Sequence, residues 1–143
     1  GHNLAYIYFT GSAGFVDRQT ALKIYHKEAK AGNSLSQVNL GHIYSTGNDV
    51  PQSDKVAVRW YREAAKNGNP VGMLQLGLAY YHGHGGVSWD YDTAYMWFSL
   101  ADTEGNEDAL AYKNKLEKKL TSERLSMAKK QVVTCREHNF KGC

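Results

Sequence analysis

Three stretches of the sequence decide its fold: LAYIYFTG from Leu4, LGHIYSTG from Leu40 and LGLAYYHG from Leu76. Each begins 36 residues after the one before it, and leucine, tyrosine and glycine recur at the same places in all three. Agreement at many positions and one fixed offset is the signature of a structural repeat. The chain therefore carries an internal repeat of this period.

A second block repeats in step with the first. It reads ALKIYHKEAKAGN from Ala21, AVRWYREAAKNGN from Ala57 and AYMWFSLADTEGN from Ala94. The third copy begins one residue late, and the extra residue lies in the segment HGHGGVSWD. A glycine-rich segment of this kind predicts a surface loop, where an insertion costs little.

Each period contains two amphipathic segments. Apolar residues recur at helical spacings of three and four in both, at Ala57, Trp60, Tyr61 and Ala64 in the first and at Leu74, Gly77, Leu78 and Tyr81 in the second. A helix pair of this size cannot bury its apolar face alone, so it must stack on its neighbours. The sequence predicts an all-α fold, a solenoid of antiparallel helix pairs.

The ends of these helices are marked by repeated residues. A glycine suits the left-handed residue after a first helix, and the asparagine after it can cap the second helix; these pairs are Gly32-Asn33, Gly68-Asn69 and Gly105-Asn106. Pro70 falls at the first helical position, where its missing N–H matters least. The predicted N-caps of the first helices are Asp17, Ser53 and Asp90.

This pattern resembles the Sel1-like repeat (SLR) family, relatives of the tetratricopeptide repeat (TPR), and suggests a bacterial protein. The copy from Ala57 matches the family pattern at Ala57, Trp60, Tyr61, Ala64, Ala65, Gly68, Gly72, Leu76, Gly77, Tyr80, Gly83 and Val87. The resemblance implies a right-handed α/α superhelix whose concave groove serves protein–protein contacts. It implies no catalytic activity and no cofactor.

The repeats set the expected domain boundaries. The array covers residues 3–120, as a half repeat 3–20, repeats 21–56 and 57–93, and a degenerate last repeat 94–120 in which Lys113 and Asn114 replace the Leu-Gly pair. Residues 121–143 form a capping helix with a cysteine-clamped tail. Thr121 is its expected N-cap, and the residues expected to cover the last repeat are Leu125, Ala128, Val132 and Val133.

The N-terminal stretch aligns inside a second helix, so we expect the array to extend further in that direction. Its apolar residues Tyr6, Ile7 and Phe9 would then offer an open end for weak self-association of an otherwise monomeric chain.

Cys135 and Cys143 leave three interpretations open: a local disulfide, a zinc site assisted by His138, or free thiols. A terminal pair with no other cysteine favours the disulfide, and similar tails in exported SLR proteins agree with it. We therefore expect a periplasmic or secreted protein. Free thiols would instead indicate the cytoplasm.

Other kinds of function find little support in the sequence. It contains no nucleophile elbow, phosphate-binding glycine motif or two-cysteine metal knuckle. His82 and His84 lack an evident third ligand, so no metal site is predicted. The net charge of +3 does not indicate nucleic-acid binding, and the basic C-terminal quarter is interpreted as a solvated helix face. No apolar run approaches the ~20 residues of a membrane span.

First helices line the concave face of such solenoids, and residues beside their apolar positions would point into it. The predicted partner-binding groove is Lys23, His26, Arg59, Arg62, Met96 and Ser99. This mostly basic strip is either an ordinary solvated face or a groove for an acidic or extended peptide of another protein. The leading hypothesis is a non-catalytic interaction scaffold or adaptor. Alternatives are a small-ligand-binding, metal-binding or enzymatic repeat protein, and an architectural spacer within a longer array.

Overall fold

The computed structural model describes residues 18–143, which form seven α-helices and no strand. The helices are α1 (Arg18–Lys30), α2 (Ser34–Thr46), α3 (Asp54–Lys66), α4 (Pro70–His82), α5 (Tyr91–Thr103), α6 (Glu107–Lys119) and α7 (Ser122–Glu137). Successive helices from α1 to α6 pack against one another. The all-α solenoid predicted from the repeat is confirmed.

Local capping chemistry sets the helix boundaries. The side chains of Asn33, Asn69 and Asn106 each accept a backbone N–H at the start of α2, α4 and α6. Ser53, Asp90 and Thr121 do the same for α3, α5 and α7, and Pro70 begins α4 as expected. Each Gly-Asn glycine has a positive φ, between +81° at Gly68 and +97° at Gly32. The predicted caps are thus confirmed, except Asp17, which lies outside the described residues together with Tyr6, Ile7 and Phe9.

Glycines on the second helices let the next repeat approach closely. A Cβ added at Gly77 would lie 2.7 Å from the Phe98 ring, and one at Gly41 would collide with the Tyr61 ring. Because these aromatic residues are buried on α5 and α3, each glycine fixes the contact between one helix pair and the next. The buried residues form three clusters, and the largest is centred on α5, where Tyr95, Trp97 and Phe98 are fully buried.

The last helix does not extend the stack. α7 makes its main contacts with α5 rather than with α6, which directly precedes it. Ala128 and Cys135 are buried at this contact, and Leu125 and Val132 pack beside them. Val133, expected in the same contact, is 54% exposed because it lies about 100° around the helix from Val132.

The C-terminal tail folds back towards the second repeat. A disulfide joins Cys135 to Cys143, with their Cα atoms 5.5 Å apart. The Phe140 ring lies beside Gly68, and Lys141 Nζ donates a 3.3 Å hydrogen bond to Asn67 Oδ1. The disulfide interpretation is therefore the one the structure shows. None of the described helices is both long and apolar enough to cross a membrane.

Candidate functional site

The predicted groove residues His26, Arg59 and Arg62 come together around one open cavity of about 530 Å³ between α1 and α3. We call this site the α1–α3 groove; its full lining is His26, Lys30, Val56, Arg59, Trp60, Arg62 and Glu63. Lys23 is exposed on α1 but is not part of the lining.

The α1–α3 groove is basic. Lys30, Arg59 and Arg62 contribute cations, while Glu63 is its only carboxylate. Lys66 Nζ lies 3.6 Å from Glu63 Oε1, so that carboxylate already has a cationic neighbour. Positive charge converging on a concave surface raises the local concentration of anionic partners.

Two equivalent pairs connect the groove to the second helices. On α3, Arg62 donates a 3.0 Å hydrogen bond to the Tyr80 hydroxyl, and its guanidinium carbon lies 5.7 Å from the Tyr80 ring centroid. At the same repeat position on α1, His26 Nε2 lies 3.2 Å from the Tyr44 hydroxyl. A tyrosine on the second helix thus orients the polar groove residue in each of these two repeats.

Trp60 supplies the apolar part of the groove. It is half-buried, and its ring meets the His26 ring edge-on with centroids 6.0 Å apart. Burial lowers the pKa of His26, and the nearby Lys30 lowers it further. The neutral imidazole is therefore favoured, and the lasting positive charge of the groove comes from lysine and arginine.

The other two predicted groove residues, Met96 and Ser99, do not lie on an open surface. They are only 4% and 5% exposed, and Met96 shares a core cluster with Ala128 and Cys135 of α7. Met96 instead lines a cavity of about 320 Å³ between α5, α7 and the tail, whose lining includes Thr93, Cys135 and His138.

Sequence reasoning missed four residues of the groove lining: Lys30, Val56, Trp60 and Glu63. Trp60 was interpreted as core, because its helical spacing matches the apolar face of α3. Lys30 was not singled out, although it lies four residues after His26 and so on the same side of α1. That spacing was the available signal.

His82 ends α4, and His84 follows it in the loop before α5. His82 and His84 stack with ring centroids 6.0 Å apart. Within residues 18–143, no three histidine, cysteine or acidic side chains cluster closely enough to hold a metal ion. Trp89, in the loop after α4, is strongly exposed.

Helix pairs capped at the same positions and stacked through glycine–aromatic contacts define an α-helical repeat protein of the solenoid class. Within that class, the chain belongs to the Sel1 repeat family, whose model matches residues 2–33, 34–69 and 70–105. Proteins built from these repeats are generally protein-interaction scaffolds.

Two solved bacterial structures resemble the chain closely. One is c5321, a protective antigen present in uropathogenic Escherichia coli strains and displaying an SLR fold: identity is 31%, the TM-score is 0.83, and the match covers 97% of this chain and 30% of c5321. The other is a Sel1 repeat protein from Oxalobacter formigenes, with 30% identity, a TM-score of 0.74, and coverage of 80% and 33% respectively. The chain thus spans about a third of each. No protein with a curated description matches it.

Proposed function

We propose that this chain is a non-catalytic interaction scaffold that binds an acidic segment of a partner protein in the α1–α3 groove. The observation that carries this proposal is the convergence of Lys30, Arg59 and Arg62 around the half-buried ring of Trp60. Arginine presents several N–H donors in a planar fork that matches a carboxylate. An apolar ring among such donors suits a polypeptide that offers both carboxylates and aliphatic side chains.

The two arginines have different roles in this proposal. Arg62 is held against Tyr80, so its position is set before a partner arrives. Arg59 is exposed and can adjust to the partner. A preorganised donor lowers the entropic cost of binding, whereas an adjustable one improves the fit.

We further propose that the scaffold acts outside the cytoplasm, in the periplasm or after secretion. The Cys135–Cys143 disulfide supports this, because such bonds persist in oxidising compartments.

A pull-down with a charge-reversed groove tests the proposal. The tagged chain and its Arg59→Glu/Arg62→Glu variant are incubated with envelope and cytosolic extracts of the source organism. The matched control is Lys115→Glu/Lys118→Glu, which changes the net charge equally on α6, away from the groove. We expect a partner that wild type and control retain and the groove variant loses, with unchanged helical circular dichroism in all three.

Arg62→Glu also removes the contact with Tyr80, so Arg59→Glu alone is tested in parallel. Undiminished binding by both groove variants would rule out the groove. Equal loss from the α6 control would show unspecific attraction to positive charge. If neither extract yields a partner, the spacer interpretation is favoured.

A further inference from the structure

In the third repeat, another helix of the chain packs on the face that forms the α1–α3 groove in the second repeat. Thr93 and Met96 on α5 hold the repeat positions that Val56 and Arg59 hold on α3. The first pair lines the cavity between α5, α7 and the tail, and the second lines the α1–α3 groove. The helix α7 therefore lies on the face of α5 that is equivalent to the groove face of α3.

The contact that α7 makes is that of a docked amphipathic helix. Its buried side follows a spacing of three, four and three residues, through Leu125, Ala128, Val132 and Cys135. Ala128 and Cys135 are small and almost fully buried, which brings the two helices close together. Such a stripe is how one helix packs along another.

We propose that the partner segment bound in the α1–α3 groove is itself an amphipathic α-helix, packed on α3 as α7 is packed on α5. This inference rests on the function proposed above and names the conformation of its partner. At the repeat positions where α5 carries Met96 and Ser99, α3 carries Arg59 and Arg62. The partner helix must therefore carry acidic residues beside its stripe of small and apolar ones.

Charge excludes α7 of a second copy as this occupant. α7 carries four basic residues, Arg124, Lys129, Lys130 and Arg136, against the two acidic residues Glu123 and Glu137. The groove is also basic, so the two surfaces repel each other. The occupant is a helix of opposite charge from a different protein.

A peptide derived from α7 provides the probe. It has the sequence of residues 122–137, keeps the buried stripe with Cys135→Ala, and reverses charge through Arg124→Glu, Lys129→Glu, Lys130→Glu and Arg136→Glu. A control peptide adds Ala128→Pro, which preserves the charge but interrupts the helix. Both are labelled and titrated with the full chain, and fluorescence anisotropy gives the affinities. A peptide of this length is marginally helical alone, so circular dichroism can detect helix formation on binding.

We expect the acidic peptide to gain helicity on binding. Its affinity should be about tenfold higher than that of the proline control, or higher still, because the proline interrupts the helix that carries the apolar stripe. Arg59→Glu in the chain should weaken binding by a similar factor, whereas the Lys115→Glu/Lys118→Glu control should not. Equal affinity for both peptides without gained helicity would overturn the helical partner and leave the acidic groove standing. Binding of neither peptide, or indifference to Arg59→Glu, would count against the helix and the acidic groove together.

Discussion

The helices α3 and α5 hold equivalent places in successive repeats, yet one forms a surface and the other a core. α3 alternates buried and accessible positions, whereas α5 is buried without interruption from Ala94 to Ala101. The difference arises from α7, which packs against α5. None of the described helices packs on the equivalent face of α3, which lines the groove. The same repeat position can thus serve packing or binding, according to whether a further helix lies on it.

The largest expected effect compares two equivalent tryptophans. Trp97 on α5 is 2% exposed, while Trp60 on α3 is half-buried at the edge of the groove. Trp97→Ala should lower the free energy of unfolding by about 3–5 kcal/mol, because it leaves a large cavity. Trp60→Ala should cost clearly less, since part of its ring already contacts solvent.

Urea denaturation of both variants measures this difference, with hydrogen exchange to show which helices open first. Equal losses from the two substitutions would mean that α3 and α5 contribute alike to the core. The contrast drawn between the repeats would then be wrong.

A smaller effect on stability is expected at the glycine contact between repeats. It is compared with the equivalent position on α6, the second helix of the last repeat. Gly77→Ala directs a methyl group to within 2.7 Å of the Phe98 ring, which is fully buried and stacked on Tyr112. Because that ring has no room to move, we expect a loss of about 1–3 kcal/mol in the free energy of unfolding. The equivalent residue on α6 is Asn114, which is exposed.

Asn114→Ala is the matched control and should leave the urea midpoint nearly unchanged. A comparable loss at Asn114 would indicate that another helix stacks on α6 in solution. No loss at Gly77 would show that the repeats can separate slightly without cost.

Local chemistry explains why so much of the fold could be predicted. Each Gly-Asn pair ends one helix and caps the next, and its capping bonds span only three residues. The fixed period then dictates how the helices stack, because equivalent apolar faces must meet. Neither the helix boundaries nor the stacking depends on the path of the chain after the repeats.

The path of α7 could not be predicted in this way. Its place on α5 depends on contacts between residues far apart in sequence, such as Arg124 Nε with Asp92 Oδ1 at 3.0 Å. Consequently the groove was predicted to continue to Met96 and Ser99, which α7 covers. The exposed Val133 has the same cause, because helical spacing shows that α7 has an apolar stripe but not which flank meets α5.

The smallest effect is a pH dependence confined to the first helix pair. Burial lowers the pKa of both His26 on α1 and His42 on α2, and the His42 Nδ1 atom lies 2.8 Å from the Tyr61 hydroxyl. Since the folded pKa values lie below the unfolded value of 6.5, the unfolded state takes up more protons on acidification. The contribution of the two neutral histidines to the free energy of unfolding is therefore complete above pH 6.5. It is lost as the pH falls through their lowered pKa values.

Hydrogen exchange is measured at about pH 7.5 and about pH 5.5, on either side of the ordinary histidine pKa. The protection factors of α1 and α2 should be lower at the acidic pH than at the higher one. They should change little in α5 and α6, whose sequences contain no histidine. A His26→Gln/His42→Gln variant should lose the difference, because neither side chain then titrates. Persistence of the fall in that variant would assign it to other groups. An equal fall in α5 and α6 would show that acid loosens the array as a whole, so that the covered and open repeats respond as one unit.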